Sequence, residues 1–596
     1  MGSNTFLHKL TLLAGVGMIS AGIGLAIWAV VHFPPQAGRE PSALAAADSV
    51  RQSPLAAASP LTTPTQAQPT PAVAAGAVVT APPKTGPTIY PAVHLPHDLQ
   101  AGLETLAAAG SLTLVEPGAD TATADTATAD TALRLDWTET QGEPLFRQYF
   151  AAATRFDTID LNLRRLHLER AWQGDTRTFT QIAVLTDTLP ALTQLFGPPG
   201  NSVVGWATMD EVTAAAWQDR TTLALVPFDQ LVPELAVYSV EGQTPVENLA
   251  KFNPAAYPLV ATIYAHADAT AITPAEWERL VDSLPASNRD PNRLTVVAMT
   301  GVTAMVRLTA AAMDERGNAW PADVVGPELA AADITAISNE VPFVPDCETD
   351  TSEDNLVFCS KPEYMATLRA SGTDIIGLTG NHQNDYGLTN ALTSLEIYAA
   401  EGLPVYGGGV DKAAAFAPLY IEHNGNRLAF LGANSYGPPS AWAGDFSPGS
   451  APFDLAIMSA AIRSIKASGD ADLVFAELQY QESYAVTPLY DQRLDFGALA
   501  RAGADVVTGV QSHVPQAVEF VDNHLVLYGL GNLYFDQMWT EETREGLIVK
   551  HTLYNGRHLS TQLLPTLLFD YGQPRWPDPE RRAAILAKVF GASQWQ

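Results

Sequence analysis

The sequence predicts an α/β protein carried on an N-terminal transmembrane helix and a proline-rich linker. Three observations predict this. An uncharged apolar run spans Leu10–Phe33, a Pro/Ala/Thr-rich stretch covers 34–97, and beyond it two successive series alternate strand-like and helix-period segments. At 596 residues the chain exceeds what one core usually serves, so two folded domains are expected. Its two cysteines can make only one bridge, which excludes a disulfide scaffold.

The anchor is assigned to residues 1–33. Leu10–Phe33 contains no Asp, Glu, Lys or Arg, and as a helix it would be about 36 Å long, enough to cross a hydrocarbon core with some tilt. Trp28 and His32 suit the interface, and Lys9 before the run favours a single-pass topology with the bulk of the chain extracytoplasmic. A cleaved signal peptide, with Ala43, Ala45 and Ala47 near its cleavage region, is the alternative reading of the same run. The linker, 34–97, is too rich in proline and small polar residues to bury a core and is read as a tether.

A first α/β domain is expected over 98–284. Strand-like pieces at Leu112–Val115, Leu133–Trp137, Gln181–Thr186 and Leu223–Pro227 alternate with helix-like pieces at Asp98–Ala109, Leu189–Phe196 and Asp210–Gln218. The short repeat at 119–131 reads as a surface loop. The segments QIAVLTDTLPALTQLFG and LALVPFDQLVPELAVYSVEG stand in an order that resembles periplasmic phosphate-binding-type proteins, which implies a two-lobed solute-binding-like module. No Ser/Thr/Gly run at a helix N-terminus forms a phosphate cradle; Thr186, Asp187 and Thr188 read equally well as ordinary capping.

A second α/β domain, 293–565, opens on the apolar strand LTVVAMTGV. The tail 566–596 is assigned as helical, from PERRAAILAKVF. Asn424-Gly425-Asn426 marks a hairpin, and Gly407-Gly408-Gly409 a turn without the Lys and Ser/Thr of a phosphate loop. The segments GVTAMVR, SNEVPF, GNHQNDYG, LQYQESY, GVQSHVPQAVEF and YGLGNLYFDQ mostly follow predicted strands, and side chains at the carboxyl ends of strands converge on a site in open α/β folds.

On these segments the chain resembles the CapA family of capsule and poly-γ-glutamate synthesis proteins, whose fold is similar to calcineurin-like metallophosphatases. The resemblance implies a metallophosphatase-like α/β sandwich and a divalent metal, Mn, Fe or Zn. Carried over position by position, the Gly-Asp ending the family's first strand is here Gly301 followed by Val302. Its Asn-x-Glu-like motif is Asn339 and Glu340, and Asn-Asn-His is Gly380, Asn381 and His382, with Asp385 three residues on. Its His-Trp-Gly motif becomes Gln479, Tyr480 and Gln481, followed by Tyr484; its Gly-His-x-Pro-His-like motif keeps only His513, with Gln511 ahead of it. The Ser-Leu-Gly-Asn-Phe-like segment survives as Gly529, Leu530, Gly531, Asn532 and Leu533, with Asp536 nearby.

The implied metal set is therefore Glu340, Asn381, His382 and His513, and the implied catalytic set His382, Asp385, His513 and Tyr484. Val302 has no lone pair, and Gln479 and Gln511 offer only neutral carbonyl oxygens, so such a set would hold a metal weakly or not at all. His382 reads equally as a buried histidine paired with Asp385. Cys347 and Cys359 in an exported chain are expected to form a disulfide. The acidic residues between them read as a solvated charge run.

Three functions follow as expectations. The first is a membrane-anchored extracellular CapA-like protein serving the synthesis, export or anchoring of an anionic surface polymer, through that polymer or its synthesis machinery. The others are a metal-dependent phosphoesterase or hydrolase and a non-catalytic solute-binding or scaffold module. Whether the protein is an enzyme is left open. Net charge is −31 at pH 7, which argues against nucleic acid as a partner. Residues 10–97 hold only Arg39, Glu40, Asp48, Arg51 and Lys84 as charges, so the acidity belongs to the folded part. A part so negative should repel a polyanion unless a basic patch or cation intervenes.

Overall fold

The computed structural model describes residues 87–92, 94–115, 132–137, 142–267, 272–352 and 354–595. The predicted anchor, nearly all of the linker and the 119–131 repeat lie outside the described residues. Among the described residues no helix is long and apolar enough to cross a membrane. Ala81–Gln596 forms one compact unit.

The first half is built on a nine-stranded sheet. Its organising element is the strand Glu143–Arg155. The first part pairs antiparallel with Val260–Ala267 and the second with Thr222–Pro227. One long strand thus belongs to two sheet halves, and Phe146, Phe150 and Ala151–Ala153 along it are fully or almost fully buried. Helices fall at His97–Ala108, Leu189–Phe196 and Met209–Gln218. The last begins with a capping box, in which Thr208 Oγ1 accepts from Glu211 N while the Glu211 carboxylate accepts from Thr208 N.

The second half is a four-layer α/β/β/α sandwich. In one sheet Leu294–Thr303 pairs in parallel with Ile334–Asn339, followed by Ile375–Gly377 and Val405–Tyr406. On its other side lie the antiparallel strands Glu545–Tyr554, Arg557–Phe569 and Gln573–Arg575. The second sheet joins Asn426–Asn434, Leu473–Gln479, Val506–Val510 and His524–Leu527 in parallel, with antiparallel edges at Leu419–His423 and Val518–Val521.

Side-chain alternation explains the layering. Leu428, Phe430, Leu473 and Phe475 face Val297, Met299, Ile334 and Ala336 in a core between the sheets. Their neighbours Ala429, Leu431, Val474 and Ala476 face outward onto the helices Leu455–Ser468 and Tyr490–Arg501. Ala298, Ile337 and Ile376 do the same on the other flank. A strand buried on both faces reads as a continuous apolar run, as these do in the sequence.

The hairpin expected at Asn424-Gly425-Asn426 joins Leu419–His423 to Asn426–Asn434. The predicted boundary at 565 falls inside the strand Arg557–Phe569, so the sheet continues past it, and the terminal helix begins only at Pro579. Apolar content alone could not separate the two, because Leu563, Leu564, Leu567 and Leu568 suit a strand or a helix.

The halves are locked together by charge and by rings. Lys550 Nζ, fully buried, donates to both oxygens of Glu247 at 2.8 and 2.6 Å and to Glu328 Oε1 at 2.8 Å. Phe156 of the first half packs edge-on against Phe520 at 5.2 Å and lies 6.2 Å from Trp595.

Candidate functional site

The parallel strands Leu294–Thr303, Ile334–Asn339, Ile375–Gly377, Leu473–Gln479 and Val506–Val510 end at one rim, and the loops leaving them line a cavity of about 620 Å³. Glu340, Asn381, His382, Gln511, His513 and Tyr484 all face it. Close backbone approach makes this convergence possible. A Cβ on Gly301 would lie 2.0 Å from the Gly531 carbonyl oxygen, and one on Gly380 would lie 2.3 Å from Glu340 Cα.

Each predicted residue has a definite place. His382 Nδ1–H donates to Asp385 Oδ2 at 2.6 Å, and the same oxygen accepts from Phe358 N at 2.8 Å. Asp385 therefore sits behind the imidazole. Burial would lower the pKa of His382, but the Asp385 bond and the charge of Glu340 outweigh it and raise the value. His513 Nδ1–H donates to Asn532 Oδ1 at 2.8 Å, which leaves Nε2 as the free ring nitrogen. Burial lowers its pKa despite the Asn532 bond. Tyr484 stacks on this ring at 5.7 Å and its hydroxyl donates to Glu482.

Glu340 is buried, and its Oε2 has no hydrogen-bond partner. Its pKa is pushed up to about 7 by burial, with His382 opposing and Glu482 and Asp385 adding to the rise. Gln479 Nε2 donates to Asn381 Oδ1 at 2.8 Å, which uses the Asn381 carbonyl, while Gln479 Oε1 is unpartnered. Gln511 Oε1 is likewise unpartnered. Gln511 and His513 have φ of 81° and 51°, conformations that cost of order 1–3 kcal/mol each and persist where the surroundings over-determine them.

Cys347 and Cys359 are disulfide-bonded. They stand outside the cavity, but the loop they close sends Asp354, Leu356 and Phe358 into its wall, and Phe358 packs 4.4 Å from His382.

The residues present do not fit a dinuclear metal centre. Val302 belongs to an apolar cluster with Ala304, Val306, Val341, Phe358, Val510 and Phe535. Gln479 and Gln511 stand where the resemblance implies imidazoles, and among the described residues no group of three or more His, Cys, Asp or Glu is placed to hold a metal ion. Of the set the resemblance implies, the donors are one carboxylate, an amide oxygen and two separately anchored imidazoles.

Sequence reading missed Arg307, Glu482 and Trp539. Arg307 is buried, has φ of 47°, donates twice to Asp536 and lies 5.1 and 5.2 Å from the Phe358 and Phe535 rings. Its place as the only charge in GVTAMVR was an available signal. Trp539 had none; it reaches the mouth through an irregular loop.

Residues 296–537 match the family model described as bacterial capsule synthesis protein PGA_cap. A capsule biosynthesis protein CapA of Bacillus anthracis is 26% identical over 304 residues, covering 50% of this chain and 72% of that protein. The PGA biosynthesis protein CapA of Bacillus subtilis is 27% identical over 233 residues, covering 39% of this chain and 61% of its own length. Among solved structures, a calcineurin-like phosphoesterase of Bacillus subtilis aligns at 12% identity and TM-score 0.30, over 50% of this chain and 98% of its own. An ABC-type phosphate transport receptor of Vibrio cholerae aligns at 11% identity and TM-score 0.27, over 33% of this chain and 92% of its own. The sandwich half of the chain is thus homologous to the CapA/PGA_cap proteins of bacterial capsule synthesis.

Proposed function

We propose that this is a membrane-anchored, extracytoplasmic CapA-like protein that serves the synthesis, export or anchoring of a capsule or poly-γ-glutamate-type surface polymer. Its cleft acts as a binding site and not as a dinuclear hydrolase. The homology of 296–537 supports the polymer role. The observation that carries the non-hydrolytic part is the replacement of three expected ligands by Val302, Gln479 and Gln511 around an otherwise well-formed cleft. In this reading 1–33 is the single-pass anchor, 34–97 the tether, 98–284 a solute-binding-like module and 293–565 the polymer-related module.

Two measurements test it. Deleting the gene should reduce surface polymer, and an unchanged envelope would remove the polymer role. Elemental analysis of the purified chain should find well under one equivalent of Mn, Fe or Zn, with no phosphoester hydrolysis. Two tightly held metals with hydrolysis lost in His382→Ala and His513→Ala would replace this reading by the hydrolase.

A further inference from the structure

The wall of the cleft is built for positive charge. It carries Arg307 and His382, whose pKa is raised, against four carboxyl groups, those of Glu340, Asp354, Glu482 and Asp536. Arg307 is already paired to Asp536. A polyanion entering this space would meet uncompensated like charge.

Two acceptors on the cavity wall lack donors. Glu340 Oε2 and Gln511 Oε1 have no hydrogen-bond partner although both side chains are more than nine-tenths buried. Gln479 Oε1 is also unpartnered, but Gln479 lies behind the wall residue Asn381 and does not line the cavity. Buried acceptors without donors are costly and call for a group that supplies them. At the mouth, the rings of Tyr484 and Trp539 lie 6.2 Å apart, and both residues are substantially exposed. Aromatic faces in the same cavity as an unpartnered carboxyl oxygen are suited to an organic cation with an apolar stem. A metal ion would make no use of the rings and, among the described residues, finds no group of three or more His, Cys, Asp or Glu placed to hold it.

We propose that the cleft binds a primary alkylammonium group, seated with its N–H donors toward Glu340 and Gln511 and with its stem along Tyr484 and Trp539. An ammonium has three donors and no acceptor, which suits two unpartnered oxygens on the cavity wall, one of them a carboxyl oxygen. Gln511, standing where the resemblance implies an imidazole, offers an acceptor for N–H groups in place of a metal ligand. This rests on the reading of the cleft as a binding site, and names the chemistry of what it binds.

The test uses the full chain in zwitterionic nanodiscs and calorimetric titration. The probe is Nα-acetyl-lysine methylamide, whose only charge is its ammonium. The control is the same molecule acetylated at Nε, which keeps the stem and removes the charge. The probe should bind at least about tenfold more tightly than the control, as expected for charge-assisted hydrogen bonds. Glu340→Gln and Gln511→Leu should each weaken it about tenfold. Trp539→Ala, at an exposed position the fold does not need, should weaken it about threefold. Equal binding of probe and control, or no binding of the probe at 10 mM (roughly the weakest affinity of interest), would overturn the proposal. So would displacement of the probe by stoichiometric Mn²⁺ or Ca²⁺. Failure here with polymer loss on gene deletion removes only the ammonium site; binding here with an unchanged envelope removes only the polymer role.

Discussion

Arg307 and Asp536 form a doubly hydrogen-bonded pair at the cleft wall, with Nε–Oδ2 at 3.1 Å and Nη2–Oδ1 at 2.5 Å, although 229 residues separate them. Asp536 Oδ2 also accepts from Leu308 N at 3.1 Å, so it fixes the start of the helix Arg307–Arg316 as well as the guanidinium. Removing one partner of such a buried pair typically costs about 3–5 kcal/mol, because the other charge is left without compensation. Asp536→Ala should lose stability of that order in urea titration. Arg307→Met combined with Asp536→Leu should lose clearly less than the single variant. Equal losses would mean that the pair is not coupled.

Acid should weaken the fold through two histidines between the sheets. His551 is buried against Phe475 and its pKa lies well below the ordinary value; His558, 5.3 Å away, is lowered to about 4, in both cases chiefly by burial. A histidine depressed in the folded state is protonated first in the unfolded chain. The stability is therefore complete above about pH 6.5 and is lost as pH falls from there toward 4. His558 is partly accessible, so its share is about 2 kcal/mol and not the full value of the shift. Urea midpoints at pH 7.5 and 4.5 should differ accordingly, and His558→Gln should reduce the difference.

The Cys347–Cys359 disulfide closes a loop that supplies part of the cleft wall. In the chain-entropy model a loop of this size contributes about 3 kcal/mol. Replacing both cysteines by serine should lower stability by about 2–3 kcal/mol and make 347–359 the first site of limited proteolysis. Unchanged cleavage kinetics would show that the Asp385–Phe358 bond and the Arg307–Phe358 packing hold the loop without the bridge.

Val302 tests the loss of the metal site directly. Val302→Asp would place a carboxylate inside the cluster of Val306, Val341, Phe358 and Phe535. Without a metal this should cost about 3 kcal/mol or more. Combined with Gln479→His and Gln511→His, the loss should be recovered when Mn²⁺ is added, read as a rise in melting temperature. No recovery would mean that the cleft differs from a metal site by more than these three positions.

Much of the site was legible because its residues follow strands. Glu340, Asn381, His382, Gln479, Gln511 and His513 each lie at or just beyond the end of an apolar run, and the structure places all but Gln479 on the cavity itself, with Gln479 bonded to Asn381. What could not be read were pairings across long separations. Glu477 accepts from Ser338 Oγ, Thr379 Oγ1 and Tyr406 OH between the two sheets, and no local pattern announces a buried carboxylate held by three hydroxyls. Lys550 likewise has its partners, Glu247 and Glu328, 303 and 222 residues away in the chain.

The sequence by itself determined the α/β alternation and the rim on which the chemistry-bearing residues stand, since burial on both faces demands continuous apolar strands and the chain leaves them at one end. It also put Val302, Gln479 and Gln511 at positions where the family resemblance implies metal ligands. Only the tertiary structure decided whether the polar atoms around them are satisfied. Whether a buried oxygen is satisfied depends on donors many residues away, and only folding showed that Glu340, Gln479 and Gln511 each retain an acceptor without a partner.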